Sequence, residues 1–174
     1  MKKFLPILLI AFVSLFIFSC DDDNDNNFVD HDTYSQMRDA TGTFSASNTY
    51  TLSMDINIQN TDVVLVYRKV GGNWQSIPKT YYLDNVVAPA TGRELDYNFD
   101  FNTQEVNIST SANFNQASMS AAEANQYLNN QTFRVVLVPA SAGKTANSVD
   151  KSDYNAVVKY YNLDESKVKT IKVN

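Results

Sequence analysis

One cysteine and one histidine, Cys20 and His31, are all that 174 residues hold of the side chains that most often act as nucleophiles, general bases and transition-metal ligands. Residues 33–174 contain neither, which excludes Ser-His and Cys-His catalytic pairs and His- or Cys-based metal sites there. No second cysteine means no internal disulfide, so a domain exported from the cytoplasm has to be held by apolar burial alone. Five glycines and four prolines are too few for a collagen-like or low-complexity chain. No repeat of about 20 to 50 residues is visible, which argues against solenoids and propellers. The GxSxG, HExxH, GxGxxG and P-loop signatures are absent as well.

Basic charge is scarce in the same way. The formal charge is −5, from 14 Lys and Arg against 19 Asp and Glu, and two of the cations, Lys2 and Lys3, lie in the first three residues. Six acids, Asp21, Asp22, Asp23, Asp25, Asp30 and Asp32, crowd the next stretch, leaving residues 33–174 nearly neutral with 12 basic and 13 acidic groups. A nucleic-acid partner requires a basic footprint to displace counterions from phosphates, and none is present.

What the chain does contain begins with its leader. Lys2 and Lys3 precede the uncharged run FLPILLIAFVSLFIFS at 4–19, which has the n-region and h-region of a secretory signal. The run is short for a membrane span, and its flank, DDDNDNN, has the wrong sign for a cytoplasmic anchor. Ile17, Phe18, Ser19 and Cys20 resemble the lipobox of bacterial lipoproteins. The resemblance implies that signal peptidase II cuts after Ser19, that the Cys20 thiol carries diacylglycerol through a thioether, and that its new amine is acylated. Phe18 departs from the small residue common at its position, and Ile17 replaces the usual Leu. Two or three acyl chains hold a domain on a bilayer where one does not, because each buried CH2 adds about 0.8 kcal/mol.

Cys20 followed by Asp21, Asp22 and Asp23 is similar to the acidic export signal of Bacteroidota lipoproteins, which implies the lipoprotein export machinery as a partner and the outer face of the outer membrane as the destination. The segments VVLVYRKVGGNWQSIPKTYYL and FRVVLVPA look like those of small β-rich flavobacterial lipoproteins of unknown function, a likeness that implies no activity. Asp21, Asp23, Asp25 and Asp32 also match acidic positions of a calcium loop, but Asn26 stands where its turn needs Gly, so residues 20–32, with His31 among them, are expected to be a solvated, disordered tether behind the lipid. The expected organisation is a signal peptide at 1–19, the lipidated Cys20 and tether at 20–32, and one domain at 33–174.

That domain reads as mainly β. Tyr50, Leu52, Met54, Ile56 and Ile58 alternate with Thr49, Thr51, Ser53, Asp55 and Asn57, and Leu95, Tyr97, Phe99 and Phe101 alternate with Glu94, Asp96, Asn98 and Asp100, each the pattern of a strand with one buried face. The unbroken run VVLVY at Val63–Tyr67 suggests a central strand covered on both sides, turned back by Gly71 and Gly72. Further strands are expected at 34–44, 80–87, 105–114, 132–138 and 167–173, giving an antiparallel β-sandwich of about eight strands. One or two short helices should cover an end or edge. Ser120 and Glu123 form a capping box for the first, and Tyr154, Val157, Val158 and Tyr161 form the stripe of a second beginning after Asp150 or Ser152.

Candidate chemistry is sparse, and no cofactor or metal is expected. Glu94, Asp96 and Asp100 share one strand face with Glu105 across a turn; paired carboxylates hydrolyse glycosides or bind calcium, but alternating acids on a half-exposed strand are ordinarily a solvated face. Trp74, Tyr81 and Tyr82 are the candidate ligand-binding residues, since aromatic rings stack on sugar faces and the neighbouring amides of Asn73 and Gln75 can bond hydroxyls. The competing assignment for Trp74 is a hairpin residue packed on its partner strand. The expectation is a non-catalytic, lipid-anchored surface protein that binds glycans, the alternative being a structural or adhesive contact with other envelope proteins. Lys167, Lys169 and Lys172 on the last strand guard its edge against uncontrolled pairing.

Overall fold

Alternation of apolar and polar residues produces two sheets whose apolar faces meet. In the computed structural model, which describes residues 35–84, 92–140 and 149–173, β1 (Gln36–Gly42), β3 (Val63–Val70), β4 (Asn73–Ser76), β8 (Gln131–Val138) and β9 (Lys169–Lys172) form one sheet in the order β4-β3-β8-β1-β9. The second sheet takes β2 (Thr51–Asp55), β5 (Lys79–Tyr82), β6 (Glu94–Phe101) and β7 (Glu105–Ala112) in the order β2-β7-β6-β5. All of these residues belong to one unit, His31–Asn174. Among the described residues no helix is long and apolar enough to cross a membrane.

The expected mainly β sandwich with short helices is what forms, with nine described strands. Between the sheets lie Leu52 and Met54 of β2, Val64 and Val66 of β3, Leu95 and Tyr97 of β6, Val106 and Ile108 of β7, and Phe133 and Val135 of β8, all buried in one apolar cluster. Phe44 sits among the rings of Tyr97 and Phe133, meeting both edge to face.

Two features extend the sequence reading. Helix α2 (Tyr154–Tyr160) lies on the outer face of the five-stranded sheet instead of at an end or edge. Its Tyr154 and Val157 join Met37, Tyr67, Val136 and Val138 in a second buried cluster, which explains why β3 and β8 are apolar on both faces. Asp153 caps this helix by accepting from the Ala156 amide at 3.1 Å, beyond the expected start at Asp150 or Ser152. Helix α1 (Ala121–Tyr127) begins where expected, with Ser120 and Glu123 in a capping box, and closes one end of the sandwich.

The last strand is the other feature. Every other pairing is antiparallel, but β9 runs parallel to β1, with Arg38 opposite Lys169 and Thr41 opposite Lys172. The connection through α2 carries the chain over the outer face of the sheet, so it returns to the far edge in the direction of β1. The end of β9 is accommodated by Gly42. A Cβ there would stand 2.6 Å from the Val173 carbonyl oxygen and 2.7 Å from Leu52 Cδ2, while the Val173 amide donates to the Thr41 carbonyl at 2.9 Å.

Expected boundaries shift by a few residues. The strand read from 34 begins at Gln36, that read from 167 begins at Lys169, and that read over 80–87 is described as Lys79–Tyr82. The signal peptide, Ile17, Phe18, Ser19, Cys20, the acidic run Asp21, Asp22 and Asp23, and His31 all lie outside the described residues.

Gly42→Ala is expected to destabilise the domain by about 1–3 kcal/mol, because the new methyl meets a backbone oxygen that cannot move without unseating β9. Equilibrium urea unfolding measures it, and an unchanged midpoint would mean that β9 contributes nothing to stability.

Candidate functional site

Strand β3 delivers two adjacent residues to opposite faces of the sheet. Its inward set is Val64, Val66 and Arg68, and its outward set includes Tyr67, so a guanidinium is carried into the space between the sheets. Arg68 is only 2% exposed. Its Nε and Nη2 donate to Gln131 Oε1 at 3.1 and 2.7 Å, and Nη2 also donates to the Gln126 carbonyl at 2.6 Å. Tyrosine rings complete its surroundings, with centroids 4.6 Å away for Tyr97, 4.9 Å for Tyr81 and 5.7 Å for Tyr127.

Each partner is held by something else. Gln131 Nε2 donates to the Asn129 carbonyl at 2.8 Å and, more weakly, to that of Asn125 at 3.4 Å, so its amide oxygen is the end that faces Arg68. The Tyr97 hydroxyl donates to the Tyr127 carbonyl, and Tyr81 donates to Gln75 Oε1 at 2.7 Å. Burial pushes the Tyr97 hydroxyl well above the ordinary tyrosine range, with the Arg68 charge acting in the opposite direction.

Beside Arg68 opens a cleft of about 570 Å³, between the turn after β3 and the loop joining α1 to β8. Asn125, Asn129 and Asn130 line it together with Tyr81 and Tyr127, and no carboxylate is among its lining residues. The α1 end of this wall is tied down by Arg93. Arg93 Nη2 reaches Asp84 Oδ1 at 2.8 Å and Glu123 Oε1 at 2.6 Å, linking the end of β5 and the start of β6 to the first turn of α1.

The outward face of the same sheet treats its arginine differently. Arg134 of β8 grips Asp39 with two bonds, 2.7 Å from Nε and 2.9 Å from Nη2, and its Nη1 reaches Glu165 at 2.8 Å and the Tyr154 hydroxyl. Burial and the Glu165 hydrogen bond push the Tyr154 hydroxyl up to about 12. The Arg134 guanidinium lies 4.3 Å from the Trp74 ring centroid.

The three aromatic candidates read from sequence are therefore not brought together. Trp74 packs in the outer cluster against Arg134 and Tyr154, as a hairpin residue engaged by its own fold. Tyr81 faces the cleft. Tyr82, 42% exposed, follows it on β5 with the opposite parity and is directed away. Asp96, Asp100 and Glu105 make local bonds instead: Asp96 accepts from Thr80 at 2.5 Å, while Asn107 donates to Asp100 at 3.2 Å and to Glu105 at 2.6 Å; at Glu94 the backbone amide donates to Asn113 Oδ1 at 2.9 Å. Among the described residues no three His, Cys, Asp or Glu side chains are grouped so as to hold a metal ion.

Sequence reasoning missed Arg68, Gln131, Tyr97 and Tyr127 as site residues. A signal for Arg68 existed, since a charge on the parity of Val64 and Val66 in a doubly apolar strand must point into the core. Comparison with known proteins finds no matching family model, no matching curated protein and no matching solved structure.

The Arg93 clamp predicts an acid-sensitive edge to the site. Its hydrogen bond, followed by those from the Ser120 amide and hydroxyl, lowers Glu123 from 4.5 to about 2. A depressed carboxylate stabilises the fold fully above its unfolded value and loses that contribution as pH falls through the folded one. The wild type should thus lose stability relative to Glu123→Gln between about pH 5 and pH 2. Chemical unfolding at stepped pH tests this, and a wild-type-to-variant difference that stays constant across the window would refute the clamp.

Proposed function

We propose that this protein is a lipid-anchored lipoprotein of the outer-membrane surface whose β-sandwich is a non-catalytic, glycan-binding domain. The observation that carries the binding reading is the cleft where the rings of Tyr81 and Tyr127 lie beside the amides of Asn125, Asn129 and Asn130. Aromatic rings pack against the C–H faces of sugars, and amides exchange hydrogen bonds with hydroxyls in both directions. A volume of about 570 Å³ is within the ordinary range for a small-molecule site. The lining offers no carboxylate, imidazole or thiol for proton transfer or nucleophilic attack, which supports binding without turnover.

The anchor reading rests on the leader. Lys2, Lys3, the apolar run and Cys20 support export and lipidation by signal peptidase II and its partner enzymes, and Asp21, Asp22 and Asp23 support passage through the lipoprotein export machinery to the cell surface. The membrane partner is reached through lipid alone.

For the binding reading, full-length protein in detergent is applied to a glycan array beside two variants. Tyr127→Ala should lose at least tenfold in signal, whereas Trp74→Ala, altered on the outer face of the sheet, should retain it. Absence of binding to any glycan, combined with crosslinks to envelope proteins on intact cells, would replace this reading with the adhesive one.

For the anchor reading, Cys20→Ala should leave the membrane fraction. Replacing Asp21, Asp22 and Asp23 with Ala should preserve lipidation but protect the protein from protease added to intact cells. Equal digestion of wild type and triple variant would reduce the acidic run to a spacer.

A further inference from the structure

Arg68 is a buried cation whose charge no carboxylate of the described residues neutralises. The ion pairs among those residues join acids to Arg93, Arg134 and Lys167 and leave Arg68 out, and its hydrogen bonds go only to the neutral oxygens of Gln131 and Gln126. A guanidinium has five N–H groups, of which Nε carries one and each terminal nitrogen two. Nε and Nη2 are engaged; Nη1 makes no hydrogen bond to the described residues. Because no fully buried side-chain nitrogen or oxygen of the described residues lacks a partner, Nη1 is not sealed in the core, and the space Arg68 borders is the cleft.

We propose that the cleft binds a glycan through a carboxylate group, with Arg68 Nη1 as the donor to it, so that the natural ligand is an acidic sugar of the uronate or sialate class. The inference rests on the glycan-binding reading and specifies its ligand. Three observations converge on it. Arg68 is 2% exposed, so its charge lies in a medium that screens it weakly and a single carboxylate arriving there gains far more than it would at the surface. The lining contains no acid to compete for the guanidinium or repel the incoming one, and its other ionisable group of fixed sign is the cation Lys69. Tyr81 and Tyr127 offer ring surface, and Asn125, Asn129 and Asn130 offer amides, which a bare carboxylate cannot use but a sugar ring carrying one can.

The contrast with Arg134 isolates the point. On the outer face the arginine is paired with Asp39 and Glu165 from its own chain, and the paired cation sits in a packed cluster. On the inner face the same type of side chain is further removed from solvent, is fastened at two of its nitrogens and leaves the third for the cleft it borders. Bonds that fix Nε and Nη2 hold Nη1 in place before any ligand arrives.

The test is calorimetric titration of full-length protein in detergent at 0.15 M salt with galacturonate, glucuronate and mannuronate trisaccharides and sialyllactose, each paired with its methyl ester. The ester keeps the ring and its hydroxyls and removes only the charge. At least one acid form should bind at least tenfold more tightly than its ester and raise the melting temperature, which the ester should not. Arg68→Gln should erase the preference. Should that variant fail to fold, Asn125→Asp, nearly isosteric and placing a carboxylate in the cleft wall, should cut the ratio of acid to ester affinity at least tenfold, because the added charge repels only the acid form; an unchanged ratio would overturn the inference. Equal affinity for acid and ester, or binding confined to neutral glycans, overturns this inference and leaves the glycan reading standing. Equal binding of a sulfated neutral trisaccharide overturns the assignment to carboxylate, and binding of no glycan at all overturns both.

Discussion

The antiparallel pairing of β3 with β8 is the constraint on which the rest of the structure depends. Its register sets Val66 against Val135, Tyr67 against Arg134 and Arg68 against Phe133 at the middle of the five-stranded sheet. Side chains alternate along a strand, so this one register decides which residues meet the second sheet and which meet α2. Val64, Val66, Phe133 and Val135 go to the core between the sheets; Tyr67, Val136 and Val138 go to the helix. A slip of one residue would turn over the strand that moved, sending Arg134 into the sandwich if β8 shifted or Arg68 out beneath the helix if β3 did.

The two arginines show what each environment requires of a charge. Removing an ion from water costs several kcal/mol even after relaxation, so a buried guanidinium needs compensation from somewhere. Arg134 receives it from Asp39 and Glu165, two charge-assisted partners spanning β1 and the turn after α2, and in doing so it pins that turn to the sheet. Arg68 receives three bonds from neutral oxygens and the faces of three tyrosines, where each cation–π contact is worth about 0.5–2 kcal/mol. That suffices to bury the group but leaves its formal charge unmatched. The first arrangement is closed and structural; the second keeps an attraction for an anion.

Much of the fold was legible because it rests on local patterns. The alternation in 49–58 and 94–101, the continuous run at Val63–Tyr67 and the Ser120 to Glu123 box are short-range signals, and each marks an element that forms, although the first strand covers only Thr51–Asp55 because Thr49 and Tyr50 take positive φ in the turn before it. Two things were not legible. The parallel approach of β9 depends on where the chain goes after crossing the sheet, which no pattern within Lys169–Lys172 encodes. The site likewise depends on distance in sequence: Arg68, Tyr81, Tyr97, Tyr127 and Gln131 come from four strands and a helix end, and only the packed sheets bring them together. Trp74 and Tyr81 looked like partners because they are close in sequence. The chain changes sheets between β4 and β5, and that crossing parts them.

A binding cleft walled by a loop is useful only if the loop is already in place, since ordering it on binding would consume much of the affinity. Here the wall from α1 to β8 is fixed at successive points. The Phe44 amide donates to the Leu128 carbonyl at 3.0 Å, the Asn130 amide donates to Thr43 Oγ1 at 3.0 Å, and Gln131 draws the Asn129 carbonyl inward at 2.8 Å. Asn130 takes a positive φ of 49°, a conformation that asparagine tolerates better than most residues, and this lets the chain turn from the helix into β8 within the loop. At the other end Arg93 holds Glu123 and hence the first turn of α1. The same bonds that terminate the helix and start the strand thus set the spacing between Tyr127 and Arg68, so the geometry of the cleft is a consequence of how the sandwich closes its end. A domain without disulfides can keep such a site rigid in this way, because each fastening is made to a residue that the core already immobilises.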